Sequence, residues 1–251
     1  MIFGLPPNEE SSMKRAALAA STLSLISLAA LTACGGDADS DSATGEPRPT
    51  ASRAKQVTPA ERLAKLMVTK KDVPGFSVKP SSKEDDEYAF AQSPDDVTVD
   101  KPACAPLVYV LNQLPLGESQ GDLTHSVLGS SQFTYVTLTT YAPGKAESAF
   151  AGLAKGVDSC GGGFTAKAKN TATYDSATSE KPVAEGGDES LAFRSTMTVK
   201  GITHTMHAQA VRKGDVLAVY FSVDGMAIVQ DRPGDAKLPA TVVKAQNAKL
   251  G

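Results

Sequence analysis

Large apolar residues recur at helical spacing in four stretches of the chain and alternate in several others. The first helical stripe is Leu63, Leu66 and Met67, introduced by Thr58-Pro59-Ala60-Glu61, a capping box with proline at the first helical position. Asp72-Val73-Pro74-Gly75 stops that helix and turns into a short strand from Phe76 to Lys79. A second stripe, Cys104, Leu107, Val108, Leu111 and Leu114, follows Asp100 as its predicted cap and Pro102 in its first turn, and Pro115 ends it. The third, Ala146, Phe150, Leu153 and Val157, begins after Pro143-Gly144 and delivers Cys160 to the break at Gly161-Gly162-Gly163. Leu238 to Leu250 closes the chain as an amphipathic helix carrying Val242, Val243, Gln246 and Leu250.

Between these helices, runs rich in β-branched and aromatic residues predict strands at 132–141, 164–169, 191–200, 202–212 and 216–223. Lys200-Gly201 and Lys213-Gly214-Asp215 are short connections of the kind that join antiparallel neighbours. Ser81 to Asp96 is polar and acidic and predicts a surface loop. This order of blocks implies a single α+β domain over residues 58–251, a mostly antiparallel sheet with helices packed on one face. The strands themselves complicate that expectation, because they are apolar on both sides. Phe133, Tyr135 and Tyr141 occupy one face of their strand and Val136 and Leu138 the other; Leu217, Val219, Phe221 and Val223 alternate with Val216, Ala218 and Tyr220. Either helices cover both faces, or one face lines a groove for a hydrophobic or amphipathic ligand. In the groove arrangement Tyr135, Tyr141 and Tyr220 are the ligand-binding candidates, since tyrosine joins an apolar ring to a polar tip.

Upstream of the domain, Lys14 and Arg15 precede a segment from Ala16 to Ala30 interrupted only by Ser and Thr, and Leu31-Thr32-Ala33-Cys34 follows. This is the layout of a secretory signal peptide over residues 1–33. Glu9 and Glu10 fit poorly in a basic leader, which makes Met13 an alternative start. The tetrapeptide ending in Cys34 resembles the lipobox of bacterial lipoproteins, and the resemblance implies a diacylglyceryl group on Cys34, cleavage before it and a chain held at the extracytoplasmic face of the cell membrane. Residues 34–57 are built from small, polar and charged residues and read as a disordered tether, spanning on the order of 25 Å as a flexible coil.

The chain has three cysteines. With Cys34 lipidated, an even pair remains in an oxidising compartment, which predicts a Cys104–Cys160 disulfide, two buried free thiols being the alternative. The formal net charge of −3 is the same with or without residues 1–33. No basic block or basic-aromatic patch is present, which argues against nucleic acid as a partner, and so weak a net charge leaves membrane attachment to the acyl chains.

Catalytic and metal signatures fail on their context. Gly117-Glu118-Ser119-Gln120-Gly121 fits G-x-S-x-G, but it follows a helix-ending proline instead of joining a strand to a helix. His204 and His207 lie three apart in a predicted strand, so they point to opposite faces and cannot readily share one ion. The acidic run Glu84 to Glu87 does not converge on one centre, and Gly161-Gly162-Gly163 lacks the Lys-Ser/Thr of a phosphate loop. No catalytic residue, metal or cofactor is expected.

The opening helix with its Asp72-Val73-Pro74-Gly75-Phe76 turn, Cys104 near a helix start, Cys160 after a helix, and the last helix from Val242 to Leu250 resemble secreted lipoproteins of actinobacteria and the extracellular sensor domains of their membrane Ser/Thr kinases. The kinase sensor domains carry more cysteines than this chain. The resemblance implies an α+β domain that binds an envelope ligand or a partner protein. The expected function is therefore a lipid-anchored, non-catalytic binding or sensing module, with a cell-envelope hydrolase as the alternative. Intact-mass measurement of the protein from its native membrane fraction should show a diacylglyceryl adduct at Cys34, and Cys34→Ala should abolish it; an unmodified Cys34 would contradict the anchor.

Overall fold

The structure is a computed structural model that describes residues 57–81, 89–129 and 132–251. The signal segment, the tether with Cys34 and the acidic run Glu84–Glu87 lie outside the described residues. Ten strands form one sheet: β1 (Ser77–Ser81), β2 (Thr98–Val99), β3 (Gly121–Leu128), β4 (Phe133–Thr140), β5 (Phe164–Lys167), β6 (Thr171–Glu180), β7 (Glu189–Val199), β8 (Ile202–Lys213), β9 (Val216–Val223) and β10 (Gly234–Ala236). Their order is β1-β3-β4-β9-β8-β7-β6-β5-β2, all antiparallel. The exception is β10, which pairs in parallel with His204 to Met206 of β8, just beyond the point at which β9 leaves that strand. Among the described residues five α-helices accompany the sheet: α1 (Pro59–Leu66), α2 (Ala105–Leu111), α3 (Lys145–Ser159), α4 (Gly225–Val229) and α5 (Ala240–Leu250). The α+β class follows directly from this arrangement.

Local chemistry accounts for most boundaries. The Thr58 hydroxyl accepts from the Glu61 amide at 3.2 Å and the Glu61 carboxylate accepts from the Thr58 amide at 2.9 Å, completing the capping box of α1. The β7–β8 connection takes positive φ at Lys200 (52°) and Gly201 (80°), as a tight turn matched to strand twist requires. Asp100 is not the cap of the second helix. Lys101 stands before a 3-10 turn, Pro102–Cys104, that leads into α2, while Asp100 bonds Thr165 through both its amide (3.0 Å) and its carboxylate (2.9 Å). Its side chain thereby fastens the approach to α2 onto β5. Strands β2, β3, β6 and β10 lie outside the elements that the sequence pattern predicts. β6 reads Thr-Ala-Thr-Tyr-Asp-Ser-Ala-Thr-Ser-Glu, with only Tyr174 and Ala177 buried, so its apolar alternation is too weak to register.

Helices cover both faces of the sheet, correcting the expectation of one. On the first face α2 and α3 bury Leu107, Phe150 and Leu153 against Phe193, Leu217 and Phe221. Cys104 and Cys160, at the start of α2 and the end of α3, are bonded with Cα atoms 5.8 Å apart, tying these two helices together. On the second face α1 and α5 bury Leu63, Val242 and Val243 against Val136, Leu138 and Tyr220. Leucines and phenylalanines buried this way stabilise the fold by about 1.5–3 kcal/mol each.

The second layer also contains buried amides. Gln246, fully buried, accepts from the Val68 amide at 2.7 Å and donates to the Leu66 carbonyl at 2.9 Å, which terminates α1 and joins it to α5. The neighbouring Asn247 accepts from the Tyr220 hydroxyl at 2.6 Å. Gln209 of β8 accepts from the Val183 amide at 2.9 Å and donates to the Ala184 carbonyl at 2.6 Å, holding the β6–β7 loop under the same layer. A buried backbone group stripped of its partner costs about 1–3 kcal/mol. Gln246→Leu keeps the volume but strands both Val68 N–H and Leu66 C=O; urea unfolding should show a loss of about 2–4 kcal/mol, and a loss near zero would contradict the role given to this side chain.

Candidate functional site

The three candidate tyrosines are not brought together. Antiparallel register sets Tyr135 opposite Phe221 and Val136 opposite Tyr220, so Tyr220 faces the α1–α5 layer while Tyr135 and Tyr141 face α2 and α3. Tyr220 is fully buried beneath Asn247, and burial pushes its hydroxyl far up from its usual pKa. Tyr141 is 2% exposed, and burial pushes its hydroxyl up to about 12. Tyr135 stacks on Phe221 with ring centroids 6.1 Å apart. Tyr141 and Tyr220 are core and Tyr135 is half-buried against it, and helices pack on both faces of the sheet these side chains come from.

A cavity of about 630 Å³ opens elsewhere, at the end of the α1–α5 layer where the described chain begins. That volume is in the range of small-molecule sites. Its apolar wall comes from Leu66 of α1, Leu250 of α5, Val216 of β9 and Val57. Its polar rim comes from Arg62 and Lys65 on α1 and from the β8–β9 turn. Helical spacing explains the α1 contribution: Leu63 turns into the core, while Arg62, Lys65 and Leu66 flank it on the side toward the turn.

The rim is organised by charge. Arg62 donates to both oxygens of Asp215, at 2.5 and 2.6 Å, a bidentate pair between helix and turn. The hydrogen bonds from Arg62, outweighing the opposing effect of burial, hold the Asp215 carboxyl below the usual carboxylate range. Across the turn, Asp188 accepts from the Gly214 amide at 2.8 Å, and this bond, ahead of the adjacent Lys213 and Arg212, holds Asp188 low as well. Arg212 bonds Glu189 at 2.5 Å. Gly187 makes this approach feasible: its φ is +64°, and a Cβ there would lie 2.3 Å from the Arg212 carbonyl. Thus the loop before β7 and the β8–β9 turn form one stitched corner against which α1 docks.

A second cleft of about 330 Å³ lies between Lys181, Val183, Ala192 and Leu238. His207 projects into it with its side chain 5% exposed, one ring nitrogen 2.7 Å from Glu180 and the other 2.7 Å from Asp235. Lys237 reaches Asp235 at 3.1 Å and His207 at 3.0 Å. Burial raises the Asp235 carboxyl, but hydrogen bonds from His207 and Lys237 outweigh it and leave the group below its usual range. This clasp joins β6, β8 and β10, and the strand spacing of His204 and His207 gives no sign of it. His204, three residues back along β8 and on the opposite face, is buried with Nδ1 lacking a partner among the described residues.

Of the other candidates, Gly117 to Gly121 runs from the loop after α2 into the first residue of β3, with Glu118 directed toward Lys145 at 3.7 Å. No strand delivers Ser119 to a helix. Among the described residues no group of three or more His, Cys, Asp or Glu side chains is placed to hold a metal ion, and no helix is long and apolar enough to cross a membrane.

No protein-family model and no curated protein matches the chain. Among solved structures, the chain is similar to the extracellular domain of PknH from Mycobacterium tuberculosis, at 13% identity and a TM-score of 0.47, covering 78% of this chain and 96% of that one. It is also similar to a protein from Mycobacterium smegmatis described as an Rv0999 ortholog, at 12% identity and a TM-score of 0.36, covering 70% and 90%. Likeness at this level transfers neither a site nor an activity.

The Arg62–Asp215 pair gives a pH-dependent expectation. A carboxyl held low in the folded state contributes stability that is full above its unfolded pKa and is lost as pH falls through the lowered value. Because the pair is partly exposed and solvent-screened, Asp215→Asn should cost about 0.5–1 kcal/mol at pH 7. The difference between variant and parent, read by urea unfolding, should shrink as pH falls through the lowered value and the carboxyl takes up its proton; a difference independent of pH would contradict the pair.

Proposed function

We propose that the chain is a lipid-anchored, extracytoplasmic binding module and that its ligand enters the cavity between α1, α5 and the β8–β9 turn. The observation that carries this reading is the cavity itself, about 630 Å³ with an apolar wall of Leu66, Val216 and Leu250 under a charged rim. Such a lining suits a compact molecule with an apolar body and a polar or anionic head, the head meeting Lys65 and Lys213 at the mouth. The anchor reading is supported by the sequence around Cys34, and the extracytoplasmic location by the same signal together with the Cys104–Cys160 disulfide.

The module acts without chemistry of its own. A hydrolase needs a nucleophile within reach of a base. Around the cavity, Arg62 is committed to Asp215, and Asp188 is committed to the turn. What the corner supplies is a rigid rim, and what α1 and α5 supply is a wall that a ligand can brace. Ligand binding would then couple the start of the domain, where the tether joins, to the sheet.

The probe 1-anilinonaphthalene-8-sulfonate, an aromatic anion that fluoresces in apolar surroundings, tests the site directly. It should bind saturably at one site per chain, and Leu250→Trp, which fills the cavity, should weaken binding about tenfold, the loss of roughly 1.4 kcal/mol. Binding that Leu250→Trp leaves unchanged would place the ligand elsewhere and overturn the assignment.

A further inference from the structure

The net charge of −3 conceals a segregation that only the fold exposes. The α1–α5 layer, taken as α1, the turn through Gly75 and α5, carries six basic side chains (Arg62, Lys65, Lys70, Lys71, Lys244 and Lys249) against two acidic ones, Glu61 and Asp72. Arg62 is paired with Asp215 and Lys249 with Asp72. Lys65, Lys70, Lys71 and Lys244 are exposed and have no ion pair among the described residues. The opposite layer shows no such bias: α2 has no charged side chain, and α3 balances Lys145 and Lys155 with Glu147 and Asp158.

We infer that the solvent face of the α1–α5 layer docks on an anionic lipid surface, a second membrane contact beside the one the N-terminal lipid provides. Two observations select this occupant. The described residues begin at Val57, one residue before the cap of α1, so a chain anchored upstream is tethered at this layer. The charge is complementary: unpaired lysines on adjacent elements of one layer form a diffuse positive surface, which phospholipid headgroups satisfy without requiring a pocket. With the face engaged, the mouth of the cavity, where Lys65 stands, would open toward the headgroups. The inference rests on the anchor reading for its orientation, but the lysine layer and its affinity do not depend on the acyl chain.

The test therefore uses residues 34–251 carrying Cys34→Ser, which cannot be lipidated and retains every described element. Flotation with vesicles of phosphatidylglycerol and phosphatidylcholine should carry the protein up, and vesicles of phosphatidylcholine alone should not. Binding should disappear in about 1 M salt, where the Debye length is about 3 Å. The combined variant Lys65→Gln, Lys70→Gln, Lys71→Gln, Lys244→Gln should bind the anionic vesicles at least about tenfold more weakly. The matched variant Lys79→Gln, Lys155→Gln, Lys167→Gln, Lys181→Gln, which removes as much charge elsewhere, should bind as the parent does. Equal binding to both vesicle types, or equal loss in the two variants, would overturn the inference. Neither result bears on whether Cys34 is acylated in the native chain, which the mass measurement decides separately.

Discussion

Strand β9 buries every residue but its last, so water can meet neither face at the centre of the sheet. A sheet with two apolar faces needs two covers, and the chain supplies them from its helices. The α2–α3 layer is joined by a disulfide and packed almost wholly through apolar side chains. The α1–α5 layer is smaller, and its helices come from opposite ends of the described chain. It is held by apolar packing and by the side-chain amides of Gln246 and Asn247, which satisfy buried groups on α1, the β6–β7 loop and β9.

The cavity is a consequence of that second cover. Two short helices do not reach over the whole face, and at the end near Val216 the gap is walled by Leu66 and Leu250 and closed by the stitched corner of Gly187, Asp188 and Gly214. The ion pair of Arg62 with Asp215 spans the gap at its rim. The same layer carries the unpaired lysines. The cavity, the exposed lysines and the start of the described chain thus fall on one side of the molecule, while α2 and α3 carry no net charge.

Much of this was legible in the chain. The capping box at Thr58, the helix delivering Cys160 and the hairpin turns at Lys200-Gly201 and Gly214 are local chemistry, and local chemistry determined them. The two-sided apolar pattern of residues 216–223 already demanded cover on both faces; only the order of blocks suggested one. What could not be read depends on partners distant in sequence. Asp100 has the side chain of a helix cap, yet Thr165 competes for it and wins. Tyr135 and Tyr220 look alike until cross-strand register assigns them to opposite faces. The cavity wall assembles Val57, Leu66, Val216 and Leu250, and the His207 clasp needs Glu180 and Asp235, none of which any spacing rule connects.

If the α1–α5 layer is an integral cover and a firm wall for the cavity, the Val68 amide, buried and bonded to Gln246, opens only when the whole domain opens. Native-state hydrogen exchange of that amide measures this directly. The predicted result is an opening free energy equal to the global unfolding free energy found by urea. An opening free energy several kcal/mol below the global value would show a layer that detaches on its own, and would contradict a preformed site beneath it.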